Sequence, residues 1–181
     1  DVVTWDGDGT SNRAIPHNLG GAVGSYFVKC TSHSSNADWI VWHKDNWVGA
    51  NNFNLVLNTT ATVTNFNLFS TTAPDSSNVY LGTSSLDYFN ATGRTYVAYV
   101  FAHNDGDGTF GPGGDQDVIK CGSYTGTGAA GNFIDLGFEP QWVLYKRTDA
   151  SSNWVMQDNM RGMSHSGYDL LYANSSGAEI S

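Results

Sequence analysis

The 181 residues include 6 Trp, 9 Tyr and 9 Phe but only 14% charged residues, and 17 Asp and Glu stand against 8 Lys and Arg for a net charge of −9. Basic residues this few and scattered disfavour a nucleic-acid partner, which needs clustered cations to displace phosphate counterions. No apolar run approaches the roughly 18 residues of a membrane-spanning helix, and so many aromatics are hard to reconcile with a disordered chain.

The predicted elements are short strands, because β-branched and aromatic residues alternate with Asn, Ser, Thr and Gly and never sustain a helical spacing. The first strand is Val2–Trp5, ending at Asp6-Gly7-Asp8-Gly9, a tight-turn sequence predicted to form a hairpin. Tyr26–Cys30 and Trp39–His43 form a predicted hairpin around Thr31–Asp38. Asn54–Asn58, Ala61–Phe69, Asn78–Leu81 and Arg94–Ala102 follow. Large residues fill nearly every position of Tyr96–Ala102, which places it at the centre of a sheet. A Gly-rich stretch, Asn104–Gln116 with Pro112, then reads as a surface connection. Beyond it the predicted strands are Val118–Cys121, Phe133–Leu136, Gln141–Lys146, Trp154–Gln157 and Leu170–Ala173.

The later strands repeat the earlier ones, and a repeat is the dominant fact about any chain that contains one. Leu19-Gly20 lies over Leu136-Gly137 and Lys29 over Lys146. Ser34-Ser-Asn36 lies over Ser151-Ser-Asn153. Ala37 and Asp38 are extra in the first copy, after which Trp39 pairs with Trp154 and Phe53–Leu57 falls on Tyr168–Tyr172. The predicted fold is therefore all-β, with tandem antiparallel β-sandwich, jelly-roll-like modules. The first module spans 1–103, a Gly/Asp-rich linker 104–117, and an incomplete second module 118–181. No counterpart of Tyr96–Ala102 follows in the second copy. The expectation is a segment of a longer polypeptide, the rival being strands supplied by a partner chain.

Residues unique to one copy are where specific function is sought. Trp39 and Trp154 are shared and read as core. Trp42 is replaced by Gln157 and Trp47 by a polar stretch, so Trp42 and Trp47 are the candidate ligand-binding aromatics, beside Asn46, Asn51 and Asn52. The linker carboxylates Asp105, Asp107, Asp115 and Asp117 are the candidate metal ligands. Glycines between them favour convergence on calcium, although the EF-hand spacing is absent, and no other cofactor is indicated. His17, His33, His43, His103 and His165 have no metal-ligand spacing and none falls on a histidine of the other copy, so they read as structural. Cys30 and Cys121 occupy non-equivalent positions and read as free thiols, as suits a reducing compartment. No nucleophile motif or convergent carboxylate pair is visible. Asp135 and Glu139 come nearest, and Asp135 belongs to a turn, so the expected protein is not an enzyme.

Taken together, the Gly-rich turns Gly7–Thr10 and Thr125–Gly128, the Leu-Gly pairs, Val28-Lys29 and Tyr145-Lys146, the Ser-Ser-Asn and Trp elements, and Arg94–Ala102 leading to Gly122–Gly126 form a set. This set resembles a repeat module of tailed, chiefly marine, bacteriophage virion structural proteins. The resemblance covers essentially the whole chain. It implies a non-enzymatic tail-fibre or surface-appendage segment, assembled in the host cytoplasm, oligomeric, and in contact with other virion subunits and a host-surface glycan. It carries no catalytic residues. The alternative expectation is a carbohydrate-binding β-sandwich.

Overall fold

The computed structural model describes residues 1–33, 38–48, 51–65, 68–82, 87–163 and 169–180. Among the described residues there is no α-helix, only one 3-10 turn at Lys44–Asn46. In chain order the strands are β1 (Val2–Asp6), β2 (Ala14–Pro16), β3 (Val23–Cys30), β4 (Ile40–His43), β5 (Trp47–Val48), β6 (Asn51–Val56), β7 (Thr64–Asn65), β8 (Asn78–Tyr80), β9 (Thr95–Ala102), β10 (Trp142–Lys146), β11 (Trp154–Asp158) and β12 (Leu171–Tyr172). All pairings between them are antiparallel.

The largest sheet runs β1-β9-β3-β4-β6-β5, with β7 also on β6, so β9 is an interior strand, as its sequence predicts, but lies next to the edge rather than at the centre. Strand alternation sends Tyr26, Val28, Ile40, Trp42, Tyr96, Ala98 and Val100 to one face. There they pack with Trp5, with Ile15 and Val79 of the two-stranded β2–β8 sheet, and with Leu68, Phe69, Leu81 and Phe89. Trp5 stacks on Tyr96 and Tyr26 on Trp42, with ring centroids 5.5 and 5.4 Å apart. The buried indole N–H of Trp5 donates to the Phe89 oxygen at 2.9 Å, as burial of a polar group requires.

Asp6–Gly9 does not turn a hairpin. β1 pairs with β9, far along the chain, and the glycine stretch instead crosses the loop before β9. Gly7 N donates to Arg94 O and Gly9 N to Asn90 O, each at 2.7 Å. A Cβ at Gly7 would sit 2.0 Å from the Ala91 oxygen, so close backbone approach is what the glycine serves. Of the predicted strand Ala61–Phe69, the described residues form only β7 and a bridge from Phe69 to Leu81.

The second copy forms a three-stranded sheet, β10-β11-β12, and repeats β3-β4-β6. Ser25, Tyr26, Phe27 and Val28 face His43, Trp42, Val41 and Ile40. Their repeat partners Trp142, Val143, Leu144 and Tyr145 face Asp158, Gln157, Met156 and Val155. The repeat alignment, with its two extra residues, thus carries the hairpin register across unchanged. The Leu-Gly turns agree as well: Gly20 and Gly137 both have left-handed φ, 70° and 80°. Each turn is capped by an acceptor two residues before the amide it takes, His17 Nδ1 for Leu19 N and Asp135 Oδ1 for Gly137 N.

The third strand corrects the alignment by one residue. Ile40 faces Val56 whereas Val155 faces Tyr172, so Val56 corresponds to Tyr172 and not to Leu171. The side chains confirm the shift. Asn58 Oδ1 accepts the amide of Trp39 at 2.8 Å, and Asn174 Oδ1 accepts that of Trp154 at 2.7 Å. The same two asparagines donate to Asp38 and Asn153, so Asn153 corresponds to Asp38; Asn36, its partner by sequence, lies outside the described residues.

Val118–Cys121 and Phe133–Leu136 form no strand. Their first-copy counterparts are held by β9 and β8, strands that close the module from later in the chain. Among the described residues the second copy has neither.

Candidate functional site

Trp42 and Trp47, the sequence-predicted ligand aromatics, do not form an exposed platform. Trp42 lies on the inward face of β4, is buried and stacks on Tyr26. Trp47 is half-buried against the same core and its Nε1 donates to Ser70 O at 3.4 Å. In the first copy both pack into the core between the large sheet and the elements over its inner face. Trp39 departs from expectation in the other direction: it is half-buried on the outer face, with its ring 5.9 Å from that of Tyr99 and the Lys29 ammonium 5.9 Å from its centroid.

The linker carboxylates do not converge. Asp117 accepts the amides of Gly106 and Gly108, both at 2.7 Å; Asp107 accepts the amide of Asp105; Asp105 pairs with Lys120 at 2.9 Å. That hydrogen bond and the Lys120 charge hold the Asp105 carboxyl below the usual range. Asp115 and Asp117 line a shallow groove with Gly137 and Phe138. No group of three His, Cys, Asp or Glu placed to hold a metal occurs among the described residues. Asp107 and Asp117 serve the loop's own backbone, which also closes on itself through reciprocal hydrogen bonds between Phe110 and Gln116.

Three of the histidines are backbone braces. Nδ1 of His17, His43 and His103 accepts the amides of Leu19, Asp45 and Cys121. Burial lowers the pKa of all three, favouring the neutral ring that accepting requires. His33 pairs with Asp87 at 2.9 Å, and His165 lies outside the described residues. The approach of His103 to Cys121 does not activate a thiol. The thiol donates to Ala102 O, and burial pushes its pKa up to about 11, where the nucleophilic thiolate is scarce.

Two repeated residues of the second copy, Lys146 and Trp154, instead lie at a surface between the copies. The outer face of the large sheet presents Val41 and Leu55, with Phe27, Leu57 and Val63, and Trp154 is buried among them with Leu144 and Ala173 beside it. Trp154 Nε1 donates to Val56 O at 2.8 Å. The loop after β10 clasps the loop after β6: Thr60 O accepts from Ser152 N, Ser151 Oγ and Lys146 Nζ, at 2.9, 2.9 and 3.3 Å. Val63 N donates to Thr148 O. The large sheet is thus covered on one face by its own small sheet and over the β4–β6 end of the other by the second copy, and the second core is shared rather than internal to a module.

One family model, described as a domain of unknown function, DUF7483, matches residues 1–181, both copies and the connection between them. The chain belongs to the DUF7483 family. No curated protein and no solved structure matches it.

Sequence reasoning missed two features of this DUF7483 chain. Asn58 and Asn174 were visible as Asn58-Thr-Thr and Asn174-Ser-Ser had the alignment been allowed one more residue of shift. The clasp at Thr60 O had no signal, since its acceptor is a main-chain oxygen.

Proposed function

We propose that this DUF7483 chain is a non-enzymatic structural segment of a tailed-bacteriophage virion, part of a tail fibre or surface appendage. It assembles with copies of itself and with other virion subunits in the host cytoplasm, and contributes to host attachment through a surface glycan. The observation that carries this reading is the clasp of one repeat on another. Two second-copy residues of the repeat, Trp154 and Lys146, reach across to the first copy. His17, His43, His103, Asp107 and Asp117 accept loop amides, which supports a structural role. The sequence resemblance supplies the virion context, and an acidic surface suits a densely assembled particle that must stay dispersed. Light scattering of the full-length polypeptide, with immunogold labelling of particles, tests it. The expected result is an oligomer and label on the tail or particle surface; a stable monomer and bare particles would sink the reading.

A further inference from the structure

The first copy supplies a template for what the second lacks. In the large sheet β3 is paired on one side by β4 and on the other by β9. Its counterpart β10 is paired on one side by β11, and among the described residues no strand takes the other side. Side-chain exposure follows this difference. Ser25 and Val28 of β3 are 6% and 0% exposed, while their counterparts Trp142 and Tyr145 are 51% and 36% exposed. The same contrast recurs away from this strand. Ile15, paired through β2 to β8, is 4% exposed, and Phe133 in the equivalent stretch is 83% exposed. An unpaired strand edge flanked by large apolar side chains is a template for strand addition.

We infer that the free edge of β10 is a strand-acceptor site, and that its occupant is an extended antiparallel segment of β9 chemistry, small and aromatic residues alternating, supplied from outside residues 1–181. The register follows from the first copy, where Phe101, Tyr99 and Ala98 face Ser25, Phe27 and Val28. Carried across the repeat, an aromatic residue faces Trp142, a second faces Leu144, and a small residue faces Tyr145. The small residue fits, because Tyr145 replaces Val28 and needs the added room. β9 of a second copy is not the donor, since it is already paired on both edges in its own sheet. The site stands independently of the virion reading.

The test adds a peptide of sequence Thr95–Ala102, flanked by lysines for solubility, to the 181-residue protein and follows amide hydrogen exchange. The expected result is exchange slowed about tenfold or more at alternate amides of Val143–Lys146. A peptide N-methylated at alternate positions, unable to pair, is expected to leave them unchanged. No slowing at β10, slowing confined to β1 and β3 by exchange with the resident β9, or equal slowing by the N-methylated peptide would each overturn the proposal.

Discussion

Trp154 Nε1 donates to the main-chain oxygen of Val56 at 2.8 Å, tying the second copy's hairpin to the third strand of the first copy. The repeat partner of Trp154, Trp39, makes no such crossing and lies half-buried beside Tyr99. Duplication therefore preserved the residue and its backbone anchor but gave the two indoles different neighbours.

Trp154→Ala is expected to destabilise the chain by about 3–5 kcal/mol, the usual cost of emptying a buried indole site. Trp154→Phe keeps most of the packing and removes the indole bond to the Val56 oxygen, which still accepts the Thr59 amide at 3.4 Å, for a loss of about 1 kcal/mol. Trp39→Ala should cost clearly less than Trp154→Ala. Urea unfolding followed by circular dichroism gives all three; equal losses for the two alanine variants would contradict the shared core.

Asn58 and Asn174 anchor the two Trp strands in the same way. Asn174 is the more sheltered, and Asn174→Ala is expected to cost about 1–2 kcal/mol, with Asn58→Ala at the lower end because water replaces its bonds. Thermal melts of the two variants should rank in that order.

Gly7 and Gly82 are fixed by close contact. A Cβ at either would lie 2.0 Å from a main-chain oxygen, of Ala91 and Leu68 respectively. Each Ala variant is expected to lose more than about 2 kcal/mol or to accumulate insoluble. Gly21, with nothing within 4 Å of such a Cβ, is the control, and Gly21→Ala should melt within a few degrees of the parent.

Acid should unfold the chain in two stages. Burial lowers the folded pKa of His17, His43 and His103 below the ordinary 6.5, so the unfolded chain takes up their protons first. Their contribution is complete above pH 6.5 and is lost as pH falls from there through the folded values. Asp8 follows: hydrogen bonds from the Thr10 amide and hydroxyl, then Asn90 and Arg13, pull its carboxyl from 3.8 to about 2, so its contribution is lost below pH 3.8. Melting temperatures from about pH 8 to 3 should show both declines, and His17→Gln should flatten only the upper one.

Much of the fold is legible in the sequence. The interior place of β9, between β1 and β3, follows from its nearly continuous apolar run. The β10–β11 register follows from the β3–β4 register because the copies align residue for residue along both strands. The two extra residues, Ala37 and Asp38, fall in the connection and leave each side chain on its own face. The extra residue before β12 also falls between strands, but it moves the whole third strand by one position, which a local match of Phe53–Leu57 to Tyr168–Tyr172 hides. The site residues were less legible. Trp42 and Trp154 are both tryptophans in alternating strands, and nothing local separates them.

By itself the sequence determined the all-β class, most of the strands that pair and the duplicated hairpin, since these depend on side-chain period and turn chemistry within a few residues. Only the tertiary structure decided which sheet faces are covered. It put Trp42 inside, set Trp154 against the first copy, turned Asp107 and Asp117 onto the linker's own backbone and, among the described residues, left one edge of β10 without a strand. Burial depends on what lies opposite a side chain, and here that is often some ninety residues away, beyond the reach of any local pattern.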